Sequence, residues 1–144
     1  MSMQYAQTAR ALGWGGLIPF AVMPIAVFIG HPDWLHTLLA AYGALILSFL
    51  AGTLWTRHLL ITTPKIWMLV ASNVLVLAAW PALLLPLHIA AFVLATLFAA
   101  HLLLDEPWQA HGLPGWYRRL RLWLSLSTIG LLILTGLIGI GRVL

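Results

Sequence analysis

The sequence contains no cysteine, which excludes disulfides, thiol nucleophiles, iron–sulfur clusters and thiolate zinc sites. Charge is also scarce, since charged residues make up 7% of the chain and only three of them are acidic. We find no paired carboxylates at mid-span, no phosphate-cradling loop and no serine nucleophile with a recognisable base. We therefore expect no enzymatic activity.

Apolar residues dominate the composition of the chain. They account for 62% of the chain, eight residues are tryptophan, and the mean hydropathy is +1.02, values typical of an integral membrane protein. The net charge of +4 comes from basic residues scattered at the ends of apolar segments. They form no continuous stripe, so we predict anionic lipid headgroups rather than nucleic acid as partners.

Five apolar segments approach the roughly twenty residues that a helix needs to cross a bilayer. They cover residues 11–30, 35–56, 66–85, 87–104 and 120–140. The connections are short and none resembles a linker. The sequence thus predicts an all-α polytopic membrane protein, with residues 1–144 forming a single compact bundle of five transmembrane helices.

The distribution of basic residues predicts the orientation of this bundle. The amino terminus and the second and fourth loops share one side and contain six basic residues, whereas the opposite side has only Arg142. By the positive-inside rule, the amino terminus is cytoplasmic and the carboxy terminus is outside. We expect a multi-pass protein of the bacterial inner membrane, or of the mitochondrial inner membrane if the source is eukaryotic.

The second span carries unusually many polar residues for a membrane helix. At 100° per residue, three leucines share the arc that we assign to lipid; they are Leu47, Leu50 and Leu54. A polar and aromatic arc should face the interior, because unpaired polar groups in hydrocarbon cost several kcal/mol; it contains Tyr42, Phe49, Thr53 and Thr56. The simpler interpretation is that both threonines bond to carbonyls one turn earlier.

Two other spans contain residues that disturb or link helices. The stretch GWGGLIPFAVMP includes Pro19 and Pro24, which predict a kink near the middle of the first span. In the third span, Asn73 is predicted to form an interhelical hydrogen bond. The glycines of TGLIGIG, near the carboxy terminus, indicate close contact with a neighbouring helix or a dimer partner.

Ionisable residues mark the end of the fourth span and the start of the fifth. His101 and Asp105 are four residues apart and so share one side of their helix. They are either a satisfied interfacial pair or a functional one. We interpret Arg118, Arg119 and Arg121 as headgroup anchors, and expect one of the three to pair with Asp105 or Glu106.

Several stretches together carry a family resemblance. They are Leu12-Gly13, GLIPF at 16–20, YGALILSF at 42–49 with Gly52 and Trp55, and WYRRLR at 116–121. On these stretches the chain resembles the uncharacterised family called domain of unknown function 3429, which includes mitochondrial transmembrane protein 69. The resemblance implies a small multi-span protein of the bacterial inner membrane or of mitochondria, and no assigned reaction.

We expect non-enzymatic binding of a hydrophobic small molecule or lipid, or an accessory role in assembly with another membrane protein or a second copy of the chain. The predicted ligand-binding residues are Tyr42, Phe49, Thr53, Trp55 and Asn73. They combine apolar walls with a few polar anchors, as ligand pockets usually do. In size, number of spans and tryptophan content the chain is also similar to the tryptophan-rich sensory proteins, whose motifs do not align with it.

Two alternatives stay open. No cofactor is predicted, but haem or a metal could be held by imidazoles, three on each side: His58, His101 and His111 on the cytoplasmic side, and His31, His36 and His88 outside. Proton or small-solute transport would use the region of Thr53, Asn73 and His101.

Overall fold

The computed structural model describes residues 3–30, 33–60, 65–105 and 114–143, which form helices and no strands. Six α-helices and one 3₁₀ helix follow each other along the chain: α1 (Met3–Gly15), α2 (Ile18–Ile29), α3 (Asp33–Leu60), α4 (Ile66–Ala79), the 3₁₀ helix (Trp80–Leu84), α5 (Leu87–Asp105) and α6 (Gly115–Val143). Three residues named in the predictions, Glu106, His111 and His31, lie outside these residues.

Five helical segments are long and apolar enough to cross a membrane, which confirms the predicted all-α class and the number of spans. The segments are Met3–Ile29, Trp34–Leu60, Ile66–Leu84, Leu87–Asp105 and Gly115–Arg142. The first, second and last are longer than predicted, because α1, α3 and α6 continue into the less apolar residues at the charged end of the bundle. The chain is therefore a multi-pass membrane protein.

The predicted kink in the first span is a break between α1 and α2. Pro19 occupies the first turn of α2, where a missing backbone N–H costs nothing, and Pro24 lies inside this helix. The carbonyl of Gly16 at the break accepts a hydrogen bond of 2.8 Å from the Tyr42 hydroxyl of α3. The break is thus tied to the neighbouring helix by a side chain.

The core is built around α5, which contributes more residues to the central cluster of buried apolar side chains than any other described helix, followed by α2. Phe20 lies edge-to-face against both Tyr42 and Phe98, with ring centroids 5.3 and 5.7 Å apart. Small residues allow the helices to approach: a Cβ atom on Gly43 would lie 2.8 Å from Cδ1 of Leu94. Packing of this kind replaces the hydrophobic drive that lipid does not supply.

The assignment of one α3 arc to lipid was wrong. Leu47 and Leu54 are 0% and 1% exposed, whereas Phe49, predicted to face inward, is 70% exposed. Because lipid tails and a packed interior are equally apolar, a leucine side chain is equally favourable in either environment. Helical spacing gave the angles between these residues but not which arc faces the bundle.

The threonines of α3 behave as in the simpler interpretation. The Thr53 hydroxyl donates to the Leu50 carbonyl at 2.7 Å, and the Thr56 hydroxyl donates to the Gly52 carbonyl at 3.1 Å. Thr56 is exposed and Thr53 is half-buried. A hydroxyl that is satisfied within its own helix does not require an interior position.

The predicted close-contact glycines lie where α6 crosses α5. A Cβ atom on Gly136 would lie 2.6 Å from the ring of Phe92, and a Cβ atom on Gly139 would collide with Cβ of His88. In contrast, nothing lies within 4 Å of the Cβ position at Gly130 or Gly141 on the same helix. Of the three glycines in TGLIGIG, Gly136 and Gly139 are therefore required by packing, and Gly141 is not.

This difference predicts that Gly139→Ala destabilises the bundle whereas Gly130→Ala does not. The added methyl group of Gly139→Ala must displace His88 next to its backbone, and overpacking of this kind costs about 1–3 kcal/mol. Gly130→Ala adds no contact and gains up to about 1 kcal/mol from helix propensity. Thermal unfolding in a neutral detergent would measure both variants, and equal midpoints would contradict the close approach.

Candidate functional site

Three helices converge on the carboxylate of Asp105. Asp105, the last residue of α5, is 1% exposed. One carboxylate oxygen is 2.5 Å from Nη1 of Arg57 on α3, and the other is 2.8 Å from Nη2 of Arg121 on α6. Each contact is a charge-assisted hydrogen bond, the stronger class of hydrogen bond in proteins. We call Arg57, Asp105 and Arg121 the charged cluster.

The charged cluster corrects the assignment of one headgroup anchor. Arg121 is 9% exposed and paired with Asp105, so it does not reach the lipid headgroups. One of the three arginines was expected to pair with an acidic residue, and in the structure that arginine is Arg121. Arg118 and Arg119 are exposed at the start of α6, where headgroup contact stays a prediction.

His101 lies beside this cluster, one turn before Asp105. Its side chain is 1% exposed, and its surroundings include Asp105, Arg121, Arg57 and the backbone of Leu50. Among the described residues, its Nε2 atom has no hydrogen-bond partner. The predicted placement of His101 and Asp105 on one side of α5 is confirmed, although the carboxylate is bound by two arginines that the four-residue spacing did not indicate.

Thr53 is a predicted ligand-binding residue that contacts the charged cluster. Nη2 of Arg121 is 3.5 Å from its hydroxyl oxygen. Tyr42 is half-buried and supports the break between α1 and α2. Two of the polar α3 residues that the sequence singled out therefore contact interior features: Thr53 contacts the charged cluster, and Tyr42 contacts the break between α1 and α2.

Trp55 and Asn73 were placed in the interior wrongly. Trp55 is 42% exposed, and Asn73 is exposed on α4. The side-chain amide of Asn73 donates to the Leu69 carbonyl of its own helix at 2.8 Å, so it does not need the predicted interhelical partner. The structure therefore does not assemble Thr53, Asn73 and His101 into one path.

A cavity of about 350 Å³ adjoins the charged cluster. It lies between α1, the start of α2, α3 and α6, with Phe98 of α5 at its floor. Its wall is almost entirely apolar, and the polar lining residues are all on α6: Tyr117, Arg121, Ser125 and Thr128. The interior thus contains an apolar space with a guanidinium at its wall.

The mouth of this cavity faces sideways, between α1 and α3. The lining residues Leu12 and Phe49 are 72% and 70% exposed, so they also form the outer surface of the bundle. The helix α1 buries none of its own residues. Near its end, Arg10 lies over the ring of Trp116 at 5.4 Å, a cation–π contact that ties α1 to α6.

Of the six histidines that were considered as haem or metal ligands, His31 and His111 lie outside the described residues. Among residues 3–30, 33–60, 65–105 and 114–143, no group of three or more His, Asp or Glu side chains could hold a metal ion. His36 and His88 line a second space of about 280 Å³ at the other end of the bundle, next to Arg142. Nη1 of Arg142 donates to the carbonyl of Val27 at 2.6 Å, and so caps the end of α2.

Burial of the charged cluster predicts strong coupling between Asp105 and Arg121. Each single variant, Asp105→Asn or Arg121→Gln, leaves a buried charge with less compensation and should cost about 3–5 kcal/mol. The double variant should cost less than the sum of the two, because the second change removes the charge that the first left uncompensated. Chemical unfolding of the four proteins would measure the coupling, and additive costs would contradict a direct buried pair.

The sequence model of one protein family, described as protein of unknown function (DUF3429), matches residues 5–137. No curated protein and no solved structure matches the chain.

Proposed function

This chain belongs to the DUF3429 family, and we propose that it binds a hydrophobic, lipid-derived small molecule in the cavity between α1, α2, α3 and α6 without transforming it. The observation that carries this proposal is the cavity itself. Its volume of about 350 Å³ lies within the range of roughly 300–1,000 Å³ that small-molecule sites occupy. An apolar wall with a few convergent polar groups is the usual lining of such a site.

The size and shape of the cavity favour a single-chain ligand. Its volume is at the lower end of the range for ligand sites, too small to enclose both chains of a phospholipid. The aromatic side chains of Phe20, Phe49 and Phe98 line it, and they would bury an acyl or isoprenoid chain. Moving an apolar chain from lipid or detergent into an apolar cavity gains little free energy, so shape fit and the polar groups must supply the selectivity.

The sideways mouth indicates how such a ligand would enter. Leu12 and Phe49 border an opening that faces the hydrocarbon in a membrane-spanning bundle. A ligand that is already dissolved in the bilayer could enter between α1 and α3 without crossing water. This route fits a membrane-borne molecule better than a water-soluble one.

Binding without catalysis agrees with the chemistry of the lining. Among the described lining residues there is no histidine, aspartate or glutamate to activate the hydroxyl groups of Ser125 and Thr128. Nucleophilic catalysis needs such a base within hydrogen-bond reach. The carboxylate of Asp105 is already bound by two guanidinium groups.

Filling the cavity should abolish binding. Ser125 is 8% exposed and lines the cavity. Ser125→Leu therefore adds two non-hydrogen atoms to a side chain that borders the ligand's space. We expect radiolabelled oleate or oleyl alcohol to bind the parent protein at one molecule per chain, and Ser125→Leu to lower its affinity at least ten-fold. Equilibrium binding in a neutral detergent measures this.

The matched control is Ser127→Leu, the same change on the same helix at a half-buried residue that does not line the cavity. It should bind like the parent protein. If neither probe binds the parent protein, or if both variants retain parental affinity, the cavity is not a ligand site.

We place the protein in the bacterial inner membrane, or in the mitochondrial inner membrane if its source is eukaryotic, with the amino terminus on the cytoplasmic or matrix side. Support comes from the ends of the spans, since Arg10, Arg57 and Lys65 belong to the end of the bundle that also contains Arg118 and Arg119. Loops rich in basic residues stay on the side from which the chain inserts.

This topology predicts opposite outcomes for reporter fusions at the two ends. In a bacterial host, alkaline phosphatase fused after residue 144 should be active, because it folds outside the cytoplasm. Green fluorescent protein at the same position should be dark, whereas at residue 1 it should fluoresce. A fluorescent fusion at both ends would contradict an odd number of crossings.

A further inference from the structure

We propose that the ligand of the cavity is a single-chain amphiphile with an anionic head group, a carboxylate or a phosphate monoester, and that Arg121 binds this head group. This inference rests on the proposed function and names the class of its ligand. Arg121 is the only charged side chain among the described lining residues. Its chemistry therefore decides which head groups are accepted.

The hydrogen bonds of Arg121 leave donors for a ligand. Both of its side-chain bonds to described residues, to Asp105 at 2.8 Å and to Thr53 at 3.5 Å, are donated by Nη2. A guanidinium has five N–H donors in a fixed fork. The N–H groups of Nη1 and Nε are thus available, and each can donate a charge-assisted hydrogen bond to an oxygen of a carboxylate or phosphate.

Among the described residues, one carboxylate pairs with the charge of Arg121. Arg121 shares the single carboxylate of Asp105 with Arg57, and its side chain is 10% exposed, so water screens it little. Charge at a site of low dielectric constant is stabilised strongly by an opposite charge and destabilised by a like one. An anionic head group would improve this balance, and an amine would worsen it.

The position of Arg121 along α6 fits the two ends of an amphiphile. Arg121 lies near the start of the helix, at the charged end of the bundle, and Thr128 lies about two turns further, roughly 10 Å along the axis. Both residues line the cavity, and apolar side chains of α2 and α3 face them. A head group at Arg121 would therefore lie near the level of the lipid head groups, with its chain directed toward the middle of the membrane.

The test compares ligands that share one tail. Oleate, oleyl phosphate, oleyl alcohol and oleylamine would compete with radiolabelled oleate for the full-length protein in neutral detergent. We expect oleate and oleyl phosphate to bind at least ten-fold more tightly than oleyl alcohol, and oleylamine more weakly than the alcohol. Acetate and inorganic phosphate, which supply the head group without the tail, should not displace the probe at millimolar concentration.

Variants assign the preference to one side chain. Arg121→Gln should lower the affinity for oleate at least ten-fold and leave oleyl alcohol within two-fold of the parent value. Arg121→Lys keeps the charge but has fewer N–H donors on a shorter side chain, so its affinity for oleate should lie between those of the parent protein and Arg121→Gln. It serves as the test if Arg121→Gln does not fold. The matched control, Arg118→Gln, removes an exposed charge on the same helix and should change neither affinity.

The outcomes separate this inference from the proposed function. Equal binding of oleate and oleyl alcohol to the parent protein would overturn the anionic head group and leave the hydrophobic site in place. Displacement by free phosphate alone would overturn the amphiphile in favour of a small anion. An unchanged preference for oleate in both Arg121 variants would overturn the role of Arg121, and no binding of any probe would overturn the proposed function as well.

Discussion

The structure depends on the carboxylate of Asp105, which is buried and bound by guanidinium groups from two other helices. A charge removed from water must find a partner or lower the stability of the fold. The chain has only three acidic residues for seven basic ones, so few carboxylates are available to pair with a buried arginine. The requirement brings the ends of α3 and α5 and the start of α6 together, and it holds Arg121 in the wall of the neighbouring cavity.

The two ends of α6 pack in different ways. Near its carboxy-terminal end, Gly136 and Gly139 bring the helix into close contact with α5. Near its start, α6 lines the cavity together with α1 and α3, and Arg121 is part of that lining. Thus α6 contacts α5 closely near its carboxy-terminal end and borders the cavity near its start. The break between α1 and α2 lies beside this cavity. The Tyr42 hydroxyl donates to the carbonyl at the break, whereas α1 itself buries none of its residues.

Much of the fold could be predicted because bilayer thickness and the cost of unpaired polar groups act on short stretches of sequence. The spans, the break near Pro19 and the bonds of Thr53 and Thr56 to their own helix are local consequences of this kind. The candidate site was harder to predict. Leu54 and Asn73 were placed on the wrong sides of their helices, because an apolar side chain gains equally from lipid and from protein, and an amide can be satisfied within its own helix.

The sequence by itself determined that this is a five-span helical membrane protein with His101 and Asp105 on one side of α5, since hydropathy and helical period depend only on the order of residues. Only the tertiary structure decided which arginines meet Asp105, that Phe49 borders an opening, and that a cavity exists beside Arg121. These features depend on how helices distant in sequence are rotated about their axes and how closely they approach. Steric fit and charge pairing across the bundle set those quantities, and neither can be read along a single helix.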